Sequence, residues 1–487
     1  MTTTPADTTP IDYADVQGTI LRGYRVDFAR HFILSITDPV TTGTLLTDLV
    51  NGSNGLPKIT SAQRTGLRPA CFLNVSFTCT GLAAMGVSAA DLATFDGSFQ
   101  LGASNAGVAR NVGDVGSSAP EHWIGGLGDG AQVHMLVSLW VRDSTEVLES
   151  VSAQLRSAFD GAATILLEQD ANALPDNKVH FGYRDSISQP TVLGAPPTKH
   201  APDDQPVVAT GEFLLGYTNE IGGSYRVSPS QLSLNGSYAA FRILEQDVAA
   251  YDALVQSFAD KAGVDTEMAA AKICGRWRNG NPLSLSPTQQ DPLLPRDRLN
   301  NFTYVAPPAE TDDTLGLMCP IGSHIRRNNP RNEAVVGGGT SSNHRIVRRA
   351  MPYGPPYDPD KPDSATRGLV GYFINASIQN QFEFLTSQWS MTYTFVKSAT
   401  APGGTPAGNA LFNITGEDVF LGVNDPSSSA FTFPGAGANG SGNTTVTGFG
   451  RTITTRGGVY CFFPSISGLT YLAGLPAATL RFGEKGQ

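Results

Sequence analysis

The chain has 487 residues, 40% of them apolar and 16% charged, which is more than one core usually supports, so two domains or two fused half-domains are expected. A net charge of -10 argues against nucleic acid or an anionic membrane as partner, and no run of about eighteen apolar residues offers a membrane span. Five scattered cysteines (Cys71, Cys79, Cys274, Cys319, Cys461) with no CxxC pair indicate neither a disulfide scaffold nor a zinc site.

The start, Met1 to Pro10, has neither a basic n-region nor an apolar h-region, so reduced thiols in a cytoplasm are the expectation, unless a secretory leader was removed. In chain order, strands are expected over His31 to Thr37, Cys71 to Thr78, Gln132 to Val141 and Ala163 to Leu167. Helices are expected over Thr42 to Val50 and, capped by Ser144, over Thr145 to Phe159. This β, α, β, β, α, β order is that of a ferredoxin-like unit.

The second half repeats the theme, with strands at Glu212 to Tyr217, Ser237 to Ile243, Leu369 to Asn375 and Gly458 to Phe463. Its helices are placed at Glu245 to Phe258, Asp265 to Trp277 and Ser377 to Trp389. The fold class is therefore α+β, two ferredoxin-like halves of antiparallel sheet covered by helices. The boundary lies near Pro196 to Asp204, giving domains 1–195 and 196–487. Thr400 to Gly408 and Pro426 to Gly442 read as loops; a formal GxGxxG at Gly435, Gly437 and Gly440 is followed by no helix and fails as a dinucleotide site.

Cys319 to Arg331 (CPIGSHIRRNNPR) carries one of seven histidines, His324, after a Pro/Gly turn and before three arginines. A neutral imidazole beside a cationic patch suits haem, whose iron takes a proximal histidine and whose propionates pair with arginine forks. A haem peroxidase also needs a distal acid/base and a cation to stabilise the charge that develops as the peroxide bond breaks. His180 to Pro190 (HFGYRDSISQP), with Asp185, and His344 to Gly354 (HRIVRRAMPYG), with Arg345, Arg348 and Arg349, offer these groups.

Taken in order with GEFLLGY (211–217), NGSYAAFRILEQDV (235–248), KICGRWRNGNPL (272–283) and RGGVYCFFPS (456–465), these blocks resemble the dye-decolorizing peroxidase family over Val16 to Leu472. The VQGTILRGY opening and the length look like its large fungal and long bacterial members. The resemblance implies haem b in the C-terminal half, with His324 as proximal ligand and Glu383 as the acidic partner of its imidazole. It also implies Asp185 as distal acid/base and Arg348 as distal cation, with Arg349 as runner-up. Ser186 stands where the family motif has glycine. Leu369 and Phe373 are expected to wall the pocket, widened by Gly371, and Arg326 and Arg331 to hold propionates.

Tyr353 matches a place where similar enzymes carry a surface radical, and Trp389 is a further candidate; a packed aromatic is the alternative reading of each. The implied activity is oxidation of phenols and anthraquinone or azo dyes by hydrogen peroxide through a ferryl porphyrin radical, in a monomer or homodimer. A haem carrier or sensor on the same fold is the competing reading.

Overall fold

The structure, a computed structural model, describes residues 10–66, 69–196, 205–306, 311–333, 340–392, 416–435 and 442–483, with side chains of the final helix described to residue 476. Residues 400–408, Gly437, Gly440 and residues 197–204 of the expected boundary lie outside the described residues.

Eight strands build one antiparallel sheet: β1 (Phe28–Ile36), β2 (Cys71–Phe77), β3 (Met135–Val141), β4 (Ala163–Asn172), β5 (Ser237–Gln246), β6 (Val347–Tyr353), β7 (Gly368–Asn375) and β8 (Ile453–Phe463). They lie in the order β4-β1-β3-β2-β8-β5-β7-β6. Each half thus has the strand order 4-1-3-2 of a ferredoxin-like unit, and the halves join where Phe462 pairs with Phe77. One apolar core runs through both, from Phe32 and Leu139 to Phe241 and Tyr372.

The first-half helices form where local chemistry closes their ends. Asp38 accepts from the Val40 amide to open α1 (Pro39–Asn51), which stops at Gly52 in the left-handed region (φ 70). Ser144 accepts from the Val147 amide to open α2 (Thr145–Phe159), whose Leu148, Ser152, Leu155 and Phe159 recur on one buried face.

In the second half, α3 (Val248–Ala262) and α4 (Thr266–Cys274) are capped likewise by Asp247 and Asp265. Their apolar faces join Phe420 and a ribbon of Ala430–Phe433 and Thr444–Thr447 in a separate core. The neighbouring sheet face therefore keeps Arg348, Leu369 and Phe373 only half-buried.

One expected strand is absent. Glu212 to Tyr217 joins no ladder and opens instead in a single tight turn, Thr210–Glu212. Its left-handed Gly216 (φ 90) breaks the extended path, and Phe213, Leu214 and Leu215 are buried as a loop in the core.

Candidate active site

The turn that starts at Pro320, whose carbonyl accepts from the Ser323 amide at 3.0 Å, delivers the chain into the one-turn helix α5 (His324–Asn328). His324 Nδ1 lies 2.9 Å from Oδ2 of Asp418, a carboxylate with no solvent exposure. Burial pushes the Asp418 carboxyl up, but His324, Arg327 and the Leu421 amide outweigh it and hold the group below its usual range. The ionised carboxylate fixes the tautomer: Nδ1 carries the proton and donates it, leaving the Nε2 lone pair available. Among the described residues Nε2 has no partner, and the side chain is 25% exposed.

Asp418 is itself fixed, with Oδ1 accepting from the amides of Phe420 at 2.8 Å and Leu421 at 3.1 Å. The Phe420 ring packs edge-on against His324 with centroids 5.1 Å apart.

The expected acidic partner, Glu383, is thereby corrected. Its Oε2 accepts from Ser98 Oγ and its Oε1 from the Tyr460 hydroxyl, both at 2.9 Å, so its carboxylate is committed elsewhere. Asp418 escaped the sequence reading because it stands 94 residues from His324. Its one local signal is the acidic pair Glu417-Asp418 ahead of an apolar run.

Asp185 leaves a tight hairpin in which Gly182 (φ 84) closes the turn, the Val179 amide donates to the Tyr183 carbonyl at 2.9 Å and Lys178 bridges to Arg184. Its amide donates to the Asn177 carbonyl at 2.8 Å, while its half-buried carboxylate makes no hydrogen bond to a described residue. Ser186, which follows, is held at φ 62, a conformation glycine adopts at no steric cost.

Three contacts staple this loop to β6. His180 Nε2 bonds the Tyr353 carbonyl at 2.8 Å, and Arg348 Nη2 donates to the Ser188 carbonyl at 2.6 Å. Gln189 accepts from the Arg348 amide at 3.0 Å and donates to its carbonyl at 3.2 Å. Arg348 is thus the arginine that meets the Asp185 loop. The runner-up Arg349 points to the other side, donating to the Thr19 carbonyl at 2.7 Å, and burial lowers its pKa to about 10.

Arg348 pairs across the ladder with Phe373, and Ala350 with Gly371. Leu369 and Phe373 therefore share its half-buried face. Gly371 is required by the backbone: at φ 153 an added Cβ would lie 2.1 Å from the Arg349 carbonyl oxygen. The expected widening of the pocket is not its reason for being glycine.

One arginine and two aromatics differ from expectation. Arg326 is fully buried and ion-paired to Glu333 and, at 3.1 Å, to Asp313, because burial of a guanidinium demands countercharge. Arg331 donates to the Asn300 carbonyl at 3.0 Å and the Phe302 carbonyl at 2.8 Å and lies 3.6 Å above the Phe302 ring. Arg326 thus holds up the loop instead of presenting a fork to a propionate. Trp389 is 1% exposed, against the rings of His344 and Phe384, and Tyr353 is 8% exposed, so neither is a surface residue.

The arrangement fits haem. An imidazole with its Nδ1 proton held by a buried carboxylate has a free Nε2 donor, and the half-buried stretch of sheet around Leu369 and Phe373 carries Arg348.

A family model described as a DyP dimeric alpha+beta barrel domain matches residues 15–175. A dye-decolorizing peroxidase of Mycena epipterygia is 30% identical, the alignment covering 95% of this chain and 87% of the relative. The crystal structure of a fungal DyP-type peroxidase from Auricularia auricula-judae superposes with a TM-score of 0.78 at 27% identity, covering 96% of this chain and all of that one. A dye-decolorizing peroxidase in complex with 2,6-dimethoxyphenol superposes at 0.77 and 27% identity, over 95% of this chain and all of that one. With its doubled 4-1-3-2 sheet and near-complete coverage on both sides, the chain belongs to the dye-decolorizing peroxidase family of haem peroxidases.

Proposed function

We propose that this peroxidase binds haem b through His324 Nε2 and uses hydrogen peroxide to oxidise phenols and anthraquinone or azo dyes. The observation that carries the reading is the Nδ1 contact of His324 with buried Asp418, which leaves Nε2 as an uncommitted donor. Phenol oxidation is supported by the 2,6-dimethoxyphenol complex of the similar structure. In this reading the unit 1–195 contributes the Asp185 loop and the unit 196–487 contributes the haem ligand.

Bound haem supplies the electrons that cleave the peroxide bond and accepts them back one at a time from the reductant. Asp418 keeps the Nδ1 proton of His324 in place, which raises the electron density its Nε2 offers. Asp185 takes the proton from one peroxide oxygen and returns it to the other, a task its unbonded carboxylate is free to perform. Arg348, oriented by Ser188 and Gln189, stabilises the negative charge on the departing oxygen. Leu369 and Phe373 keep water from the reacting face.

No helix among the described residues is long and apolar enough to cross a membrane. The five free thiols favour a cytoplasmic site of action, and in this reading the active species is a monomer or homodimer.

The test is an absorption spectrum of the haem-supplemented protein before and milliseconds after one equivalent of peroxide, for wild type and His324→Ala. A Soret band that depends on His324 and changes with peroxide is expected. A His324-dependent band that ignores peroxide would instead mark a carrier, and no band would overturn the haem site.

A further inference from the structure

Tyr460 of β8 belongs to a row that crosses four strands: it pairs with Ala240, Ala240 with Phe373, and Phe373 with Arg348. Paired residues share a face and strands lie about 4.8 Å apart, so Tyr460 stands two strands, roughly 10 Å, from Phe373 on the face of the proposed pocket. Aromatic rings fill the interval. Phe382 packs edge-on to Tyr460 with centroids 6.0 Å apart and lies 5.5 Å from Phe373.

The Tyr460 hydroxyl, on a side chain 2% exposed, donates to Glu383 Oε1 at 2.9 Å, and Ser98 donates to the other carboxylate oxygen. A phenol that loses an electron becomes strongly acidic, and in a dry interior the resulting cation is costly unless a base takes the proton. Glu383 is that base; burial holds its pKa above the ordinary carboxylate range despite the two hydroxyl donors. The other charges facing the pair are Asp96 and the buried Arg242–Asp114 ion pair.

We propose, building on the peroxidase reading, that Tyr460 and Glu383 form a buried redox pair that stores one oxidising equivalent when no reductant is present. One electron passes from the phenol through Phe382 and Phe373 to the peroxide-oxidised haem, and the phenolic proton crosses to Glu383. A neutral phenoxyl radical is left beside a neutral carboxylic acid. An arriving one-electron reductant reverses both transfers.

Tyr183 and Tyr251 make the contrast. They reach His324 through Phe420, with centroids 5.9 and 5.6 Å from its ring. Their hydroxyls meet each other at 2.6 Å, that of Tyr183 donates to the Ala270 carbonyl at 2.7 Å, and neither a hydroxyl nor a carbonyl can take a proton as a carboxylate does.

The test treats the haem-loaded full chain with one equivalent of peroxide and no reductant, and freeze-quenched samples are read by electron paramagnetic resonance. A tyrosyl signal is expected that ring-deuterated tyrosine narrows, Tyr460→Phe abolishes and Glu383→Gln removes. In wild type alone, exchange into D2O must alter the coupling from the proton handed to Glu383, a measurement that does not depend on either variant folding. A signal that persists in Tyr460→Phe, a signal insensitive to D2O, or oxidised haem with no protein radical overturns the pair alone. A haem spectrum that does not respond to peroxide overturns the peroxidase reading, and the pair with it.

Discussion

Both halves of the sheet run in the order 4-1-3-2, yet they treat a histidine in opposite ways. In the first half, His31 sits in mid-strand on β1, fully buried, with Nδ1 2.8 Å from Ser138 Oγ and with Trp140, Phe241 and Tyr372 packed around its ring. Burial pushes its pKa down to about 3. In the second half, His324 sits in a long connection, a quarter exposed, with a carboxylate behind it. Ladders can bury an imidazole but leave its lone pair nowhere to act. The described parts of the connections between β5 and β6 and between β7 and β8, which lie outside the eight-stranded sheet, supply His324, Asp418 and Glu383.

The largest effect should come from the two groups to which the proposed function gives the peroxide chemistry. Asp185→Asn and Arg348→Leu should each keep haem while slowing the peroxide-dependent spectral change by about 10²- to 10⁴-fold, the range for losing a general acid/base or a charge-stabilising donor. Stopped-flow absorbance reads this directly. A variant that reacts at the wild-type rate would remove its residue from the mechanism.

Next comes the cost of burying His31. Its folded pKa of about 3 lies below the usual unfolded value of about 6.5. The unfolded chain therefore binds the proton first as pH falls, and stability present above pH 6.5 is lost between 6.5 and 3. Linkage gives about 3 kcal/mol lost by pH 4 from this group. Urea unfolding at pH 7 and pH 4 should show that loss in wild type and a smaller one in His31→Gln, whose amide does not titrate in this range. Equal losses in both would show that the buried imidazole is not the acid-sensitive element.

Asp418→Asn should weaken haem affinity or activity by roughly 10- to 100-fold, the usual cost of losing a carboxylate behind a metal-ligating imidazole. Glu383→Gln, on a carboxylate that does not touch His324, should leave haem affinity alone. Titration of apoprotein with haem separates the two. The reverse ranking would restore Glu383 as the imidazole's partner.

The sheet was legible because alternation and capping are local. Thr145 to Phe159, opened by Ser144, and the strands beginning at Cys71 and Ser237 form where apolar spacing and caps place them. GEFLLGY misled because its apolar run is buried as a loop, a state that composition cannot tell from a strand. Around the proposed site, short blocks singled out His324 and the Asp185 loop as candidates. The roles of Glu383 and Arg326 were not, since each depends on a partner brought in from elsewhere: Tyr460 in one case, Asp313 and Glu333 in the other.

The smallest effect separates backbone shape from side chain at Ser186. A left-handed conformation costs an L-residue about 1–2 kcal/mol, and glycine escapes that cost. Glycine also loses more freedom on folding, roughly 0.5–1 kcal/mol worth, so the two terms partly offset and Ser186→Gly should stabilise by no more than about 1.5 kcal/mol. Because Ser186 already holds φ 62, where glycine would rest unstrained, the path that aims Asp185 is the same with either residue. The peroxide rate of Ser186→Gly should therefore stay within about twofold of wild type, a difference of under about 0.5 kcal/mol in barrier. A tenfold gain would mean instead that the serine side chain, exposed at the loop's edge, holds the carboxylate off its mark.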